Sequence, residues 1–217
     1  MNKSKAARIC CFTLGTVLLM SALFLVVYNV YEDQKSGETA ASVLDKLKED
    51  IPEYTETVTT MATGESYDLY EILGGTTETV VPEMETVELN GNVYIGYISI
   101  PELDVELPVM QNWNYPNLKI APCRYQGSVY TDDMILCAHN YNTHFGRIKN
   151  LHTDSEIVFT EIGGKEHRYA VVNIEELPGT AVEDMKFGNA DDWDLTLFTC
   201  TIGGQSRVTV RALRMDE

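Results

Sequence analysis

The run LTLFTCTIGGQSRVTVRAL, residues 195–213, reads as two β-strands joined by a tight turn. Leu195 to Cys200 and Arg207 to Leu213 are rich in β-branched and apolar residues, and Thr201 to Ser206 between them carries Gly203-Gly204, where positive φ costs little. Folding this hairpin brings Cys200 and Arg207 to the same rim. A guanidinium beside a cysteine favours the nucleophilic thiolate, and its planar fork of donors can hold a carbonyl oxygen that gains charge.

Outward from this hairpin, the chain from Asn92 onward repeats the same texture. Short runs rich in Val, Ile and Tyr, bounded by Pro, Gly, Asn and Asp, fall at Val93 to Ile100, Val105 to Met110, Met134 to Ala138, Glu156 to Phe159 and His167 to Glu175. Long helical periodicity is missing, and Asn114 to Ile120 and His144 to Leu151 have room for a turn or two of helix each. With the hairpin this predicts one mainly β domain of seven to eight short strands, a sandwich or a barrel, with short connecting helices.

Upstream, Ile9 to Tyr31 is a run of 23 residues without a charge, long enough at about 1.5 Å per residue to cross a hydrocarbon core of roughly 30 Å. It ends Val26-Val27-Tyr28-Asn29-Val30-Tyr31 rather than in a small-x-small cleavage site, so an uncleaved anchor is expected. Lys3, Lys5 and Arg8 precede it and Glu32 and Asp33 follow, which places the N-terminus in the cytoplasm and the rest outside. The net charge of −17 is concentrated after the anchor, where residues 32–90 hold 15 acidic and 3 basic side chains. So acidic a chain, without a basic stripe, excludes nucleic acid as a partner.

The expected division is therefore a cytoplasmic N-terminus (1–8), a transmembrane anchor (9–31), an acidic extracytoplasmic tether (32–90) and the mainly β domain (91–217). Within the tether Ala40, Val43, Leu44 and Leu47 mark a short juxtamembrane helix. The β pattern starts near Asn92, so removal of residues 1–90 is expected to leave this domain folded.

Cys10 and Cys11 lie in the anchor and read as membrane filler. Cys123, Cys137 and Cys200 lie outside, and an odd number there leaves at least one thiol without an intrachain partner. His139 closes the apolar strand Met134 to Ala138 and opens a polar loop, Asn140-Tyr141-Asn142-Thr143, a place from which a strand hands a side chain to a site. Near neutral pH a histidine can protonate a leaving amine.

Three stretches together resemble the sortases, membrane-anchored cysteine transpeptidases of Gram-positive surfaces. Ile95-Gly96-Tyr97-Ile98-Ser99-Ile100-Pro101 through Leu107-Pro108-Val109 resembles the family's opening strand pair. Ala138-His139-Asn140 through His144-Phe145-Gly146 and Leu151 resembles its histidine segment, with Ala138 where glycine is usual. Thr196-Leu197-Phe198-Thr199-Cys200 with Arg207 is similar to its Thr-Leu-x-Thr-Cys signature and following arginine, the most specific of the three.

The resemblance implies that residues 91–217 form a single closed catalytic β-barrel of seven to eight strands, with Cys200 as nucleophile, His139 as general acid and base, and Arg207 as the group that positions substrate or stabilises the oxyanion. It also implies surface proteins with Leu-Pro-x-Thr-Gly sorting signals as substrates, a thioester intermediate, and an amine of a cell-wall peptide or a pilin as acceptor. No cofactor or metal is called for, and the acidic loops leave calcium modulation open. His144 and Phe145 read as the packing end of the histidine loop. Cys137, His139, His144 and Cys200 lack the spacings of a zinc set. Leu177-Pro178-Gly179-Thr180-Ala181 looks like a sorting signal but reads as turn chemistry, since Val182-Glu183-Asp184 follows in place of an apolar stretch. No Asp-Pro-aromatic lid motif occurs in the tether, which disfavours pilin assembly. The competing functions are a hydrolytic cysteine peptidase and a non-catalytic wall-binding β module.

Overall fold

The computed structural model describes residues 3–52, 82–186 and 193–215, with the side chains of residues 3–7 left aside. Its strands are β1 (Val87–Leu89), β2 (Asn92–Ile100), β3 (Val105–Met110), β4 (Cys123–Gln126), β5 (Met134–Ala138), β6 (Glu156–Glu161), β7 (Glu166–Pro178), β8 (Leu195–Cys200) and β9 (Ser206–Arg214). The helices are α1 (Lys3–Asp50), α2 (Tyr115–Leu118) and α3 (Val182–Lys186), with 3₁₀ turns at Pro101–Leu103 and Ile148–Asn150.

Strand order around the sheet is β1-β2-β3-β4-β5-β8-β9-β7-β6, and β2 also pairs with β6, so eight strands close into a barrel with β1 added at β2. Closure depends on Gly96. Its φ is +148°, and a Cβ there would stand 2.0 Å from the Thr160 carbonyl oxygen of β6, so only glycine lets β2 bend through its bulge and bond strands on both sides. The expected barrel is present. Sequence reading passed over β1 and β4 because runs of three and four residues carry too little alternation to stand out.

Alternation divides the strand residues between two sides. Ala138, Leu195, Leu197, Val208, Val210 and Ala212 join the barrel's main apolar core. Cys137, Phe198 and Tyr94 turn to the other face and join a second cluster that includes Val43 and Leu47 of α1.

That second cluster changes the reading of residues 32–90. The helix does not stop at the end of the apolar run but continues to Asp50, one residue before Ile51-Pro52, where proline disfavours helical backbone in its predecessor. Ala40, Val43, Leu44 and Leu47, the stripe seen in the sequence, are all buried. Lys48 Nζ lies 2.6 Å from Glu106 Oε1 of β3 and 5.1 Å from the centre of the Tyr97 ring. Residues 33–50 are thus packed helix, and β1 also falls inside the stretch expected to be tether. Residues 53–81, the middle of that stretch, lie outside the described residues.

Removal of residues 1–90, after which the barrel is expected to stay folded, would also uncover apolar surface of the second cluster, so a cost in stability is expected. We expect Leu47→Ala to destabilise the chain by about 2 to 5 kcal/mol, the usual range for a buried Leu→Ala change. Glu49→Ala, on the exposed side, should stay within about 0.5 kcal/mol. Equilibrium denaturant unfolding of the detergent-solubilised chain, followed through its β-sheet circular dichroism, would measure both.

Candidate active site

The site is built on three neighbouring strands. Cys200 at the end of β8 is paired in register with Arg207 of β9. On the other side β5 runs parallel to β8 with Ala138 opposite Thr199, so His139, the next residue, reaches the Cys200 rung. Adjacent strands lie roughly 5 Å apart, so neighbouring side chains on one face meet. Thr199 Oγ1 donates to the Ala138 carbonyl at 2.9 Å and pins the two strand ends together.

Cys200, His139 and Arg207 line one cavity of about 200 Å³, together with Trp113, Tyr115, Tyr125, Phe198, Val182 and Met185. Trp113 stacks on Tyr125 with ring centres 5.5 Å apart, and Tyr125 meets Phe198 edge to face at 5.4 Å. These rings make an apolar wall beside the polar trio. Arg207 Nη1 donates to the Gly204 and Ser206 carbonyls, each at 3.1 Å, which holds the guanidinium against the hairpin.

Among the three cysteines of the barrel only Cys200 is partly exposed. Cys123 and Cys137 face each other across β4 and β5, are buried, and are unpaired. Burial pushes the Cys123 thiol up to about 12 and raises that of Cys137 as well. Neither is suited to act as a nucleophile near neutral pH.

The four histidines separate as clearly. His167 is fully buried with Nε2 2.6 Å from Glu161 Oε1. His152 sits 3.1 Å from Glu102 on the outside. His144 is fully buried, and burial pushes its pKa down to about 4, so its ring is neutral. His139 alone lines the cavity. Burial first, and then the charge of Lys119, hold it below the ordinary histidine value. Among the described residues no group of three or more His, Cys, Asp or Glu side chains is placed to hold a metal ion.

Two features of the site escaped the sequence. The first is α3, whose Val182 and Met185 form part of the cavity wall. It is held by Arg211, fully buried, whose Nη1 donates to the Met185 carbonyl at 2.7 Å and to Thr196 Oγ1 at 2.9 Å, while Nη2 donates to the Asp184 carbonyl at 2.8 Å. Glu175 and the Trp193 ring complete its surroundings. A charged residue two turns of alternation beyond Arg207, on the same face, was the available signal.

The second is the Leu177 to Ala181 stretch. Leu177 is paired with Arg207, Gly179 N donates to the Gln205 carbonyl at 2.8 Å, and Ala181 N donates to the Pro178 carbonyl at 2.9 Å. Pro178, Gly179 and Ala181 line the cavity. Leu177 and Pro178 thus end β7, the turn is confined to Gly179 and Thr180, and the stretch forms a wall of the site.

A model of the sortase domain matches residues 98–215. This spans more than half of the chain, over the barrel that carries the thiol, the imidazole and the guanidinium. The chain belongs to the sortase family, and in general terms it is a cysteine transpeptidase of that kind. No curated protein matches it.

Among solved structures it is similar to a sortase D5 transpeptidase from Clostridium perfringens, 18% identical with a TM-score of 0.56, over 82% of this chain and 99% of that one. It is similar to sortase C from the same species, 24% identical with a TM-score of 0.50, over 68% and 83% of the two chains. Sortase C1 from Streptococcus agalactiae is 24% identical with a TM-score of 0.50, over 60% and 71%. At such identities the three bear on the fold. Among the described residues one helix, α1 from Arg8 to Asp50, has the length and hydropathy to cross a membrane, in keeping with membrane anchoring.

Proposed function

We propose that this chain cleaves a Leu-Pro-x-Thr-Gly type sorting signal after threonine and passes the acyl group to an amine. The observation that carries the reading is the shared rung of His139, Cys200 and Arg207 at the end of three adjacent strands, opening on one cavity. The Cys200 sulfur attacks the threonine carbonyl, and the oxygen gains charge within reach of the Arg207 donors. His139 gives a proton to the leaving amine, the C–N bond breaks, and a thioester remains. An incoming amine attacks the thioester, His139 takes its proton, and the Cys200 sulfur is released.

The apolar wall of Trp113, Tyr115, Phe198 and Met185 suits the leucine and proline side chains of such a signal. The lowered His139 pKa leaves the ring mostly neutral at pH 7, so turnover through this acid should fall further as pH rises. Residues 9–31 would anchor the chain, with residues 1–8 in the cytoplasm and the barrel outside. Acceptors would be an amine of a cell-wall peptide or of a pilin.

The deciding experiment incubates the detergent-solubilised chain with a sorting peptide, with and without triglycine. Formation of a peptide–triglycine product supports transfer. Release of the free acid at the same rate whether or not triglycine is present would make the chain a hydrolytic peptidase, and absence of both products would overturn the proposal.

A further inference from the structure

The stripe on α1 that packs against the barrel begins about two turns before its apolar residues. Asp33, Ser36, Gly37 and Ala40 follow the i, i+3, i+4, i+7 spacing that puts them on one face, and the first three meet the loop that follows His139. Asp33 Oδ2 accepts from the backbone N–H of Asn142 at 3.1 Å and from its Nδ2 at 3.3 Å. Asp33 Oδ1 accepts from the Thr143 N–H at 3.1 Å and from Thr143 Oγ1 at 2.6 Å. One carboxylate thus takes four donors from two consecutive residues. Burial opposes its charge, but the bonds from Thr143 and Asn142 prevail and hold the carboxyl below its ordinary value.

Gly37 allows the approach, since a Cβ there would stand 2.7 Å from Thr143 Cγ2. Ser36 Oγ donates its single hydrogen to the Lys119 carbonyl at 2.5 Å, so in its 3.1 Å contact with His144 Nε2 the ring must be the donor. From there rings lead back to the site: His144 and Tyr141 have centres 5.5 Å apart, and Tyr141 and His139 4.9 Å. The loop also returns on itself through the Phe145 N–H, which donates to the His139 carbonyl at 3.3 Å.

We propose that Asp33 is a positioning residue for His139: the helix that leaves the membrane holds the histidine loop in register with the Cys200 rung. This rests on the reading of His139 as the proton donor. The anchor is then part of the active-site scaffold, because Asp33 lies two residues beyond the apolar run and on the same continuous helix. A displacement of about 1 Å in a catalytic group can cost on the order of 100-fold in rate.

The experiment uses the full chain in detergent, with rates expressed per Cys200 titrated by an alkylating reagent. Two substrates are compared: a sorting peptide, whose amine must be protonated to leave, and the same acyl segment as a thioester, whose thiolate leaves without a proton. Asp33→Ala should lower the single-turnover rate of amine release from the peptide by about 10- to 100-fold with the half-saturating peptide concentration within about twofold, and leave the single-turnover rate of thiolate release from the thioester within about twofold, because both read the acylation step before His139 acts as base. Thr143→Val, made from the other side of the contact, should reproduce this pattern. The double variant should lose little more than either single one.

Equal losses on both substrates, or wild-type peptide turnover in Asp33→Ala, would overturn the inference. His139→Ala separates the two levels. If it retains peptide turnover, the assignment of His139 falls and this inference with it; if it is inactive on peptide while Asp33→Ala keeps the parent rate, only the inference falls.

Discussion

Cys200→Ala is expected to abolish both cleavage of a sorting peptide and transfer to an amine while the chain keeps its fold. Loss of the sulfur removes the covalent step, and in another enzyme that works through an acyl intermediate removal of the nucleophile costs on the order of 10⁶-fold in turnover. Little packing is lost, because Cys200 is only partly buried at a strand end and its place in the sheet is set by backbone pairing with Arg207. Cys123→Ala and Cys137→Ser should retain activity, since both thiols are buried away from their charged form. Product analysis by mass spectrometry, beside a thermal melt, checks each variant. Turnover in Cys200→Ala comparable with the parent would sink the assignment of the nucleophile.

The second large effect is expected at Arg207. A positive charge near the thiol and a fork of donors for the oxyanion are different services, and lysine supplies only the first. Removing one oxyanion donor typically lowers turnover by about 100- to 1,000-fold, so Arg207→Lys should fall by roughly that factor. The pH profile of Cys200 alkylation by iodoacetamide should change little.

The structure adds a reason to expect poor rescue. Nη1 is already held by the Gly204 and Ser206 carbonyls, which fixes the plane in which the remaining donors lie. A lysine ammonium bonded to those carbonyls has no rigid second arm. Retention of more than about a tenth of the parent rate, where the oxyanion role allows about a hundredth, would show that charge alone suffices.

How much of this was legible in the chain follows from the range of the interactions. The hairpin of β8 and β9 joins residues a few positions apart, so alternation and Gly203-Gly204 were enough to bring Cys200 opposite Arg207. His139 was legible as the residue that ends an apolar strand, although its place beside Cys200 needed the parallel pairing of β5 with β8. Arg211 was passed over because an arginine in a strand with Thr209 and Arg207 reads as a solvated face. Only the fold shows that α3 covers it and that its donors hold the Asp184 and Met185 carbonyls.

The sequence by itself determined the mainly β fold and the apolar N-terminal run, and it singled out Cys200, His139 and Arg207 as candidates. Each of these is written in local periodicity or in a short motif. The tertiary structure decided what the acidic stretch after the apolar run does. Charge and composition marked it as tether, yet four apolar side chains and a shape that fits β3 are enough to dock its first part as helix. Asp33 then meets Asn142 and Thr143 across more than a hundred positions of chain. No pattern in the sequence joins residues so far apart, because a single carboxylate accepting from a loop has no period; its partners are fixed only when barrel and helix have packed.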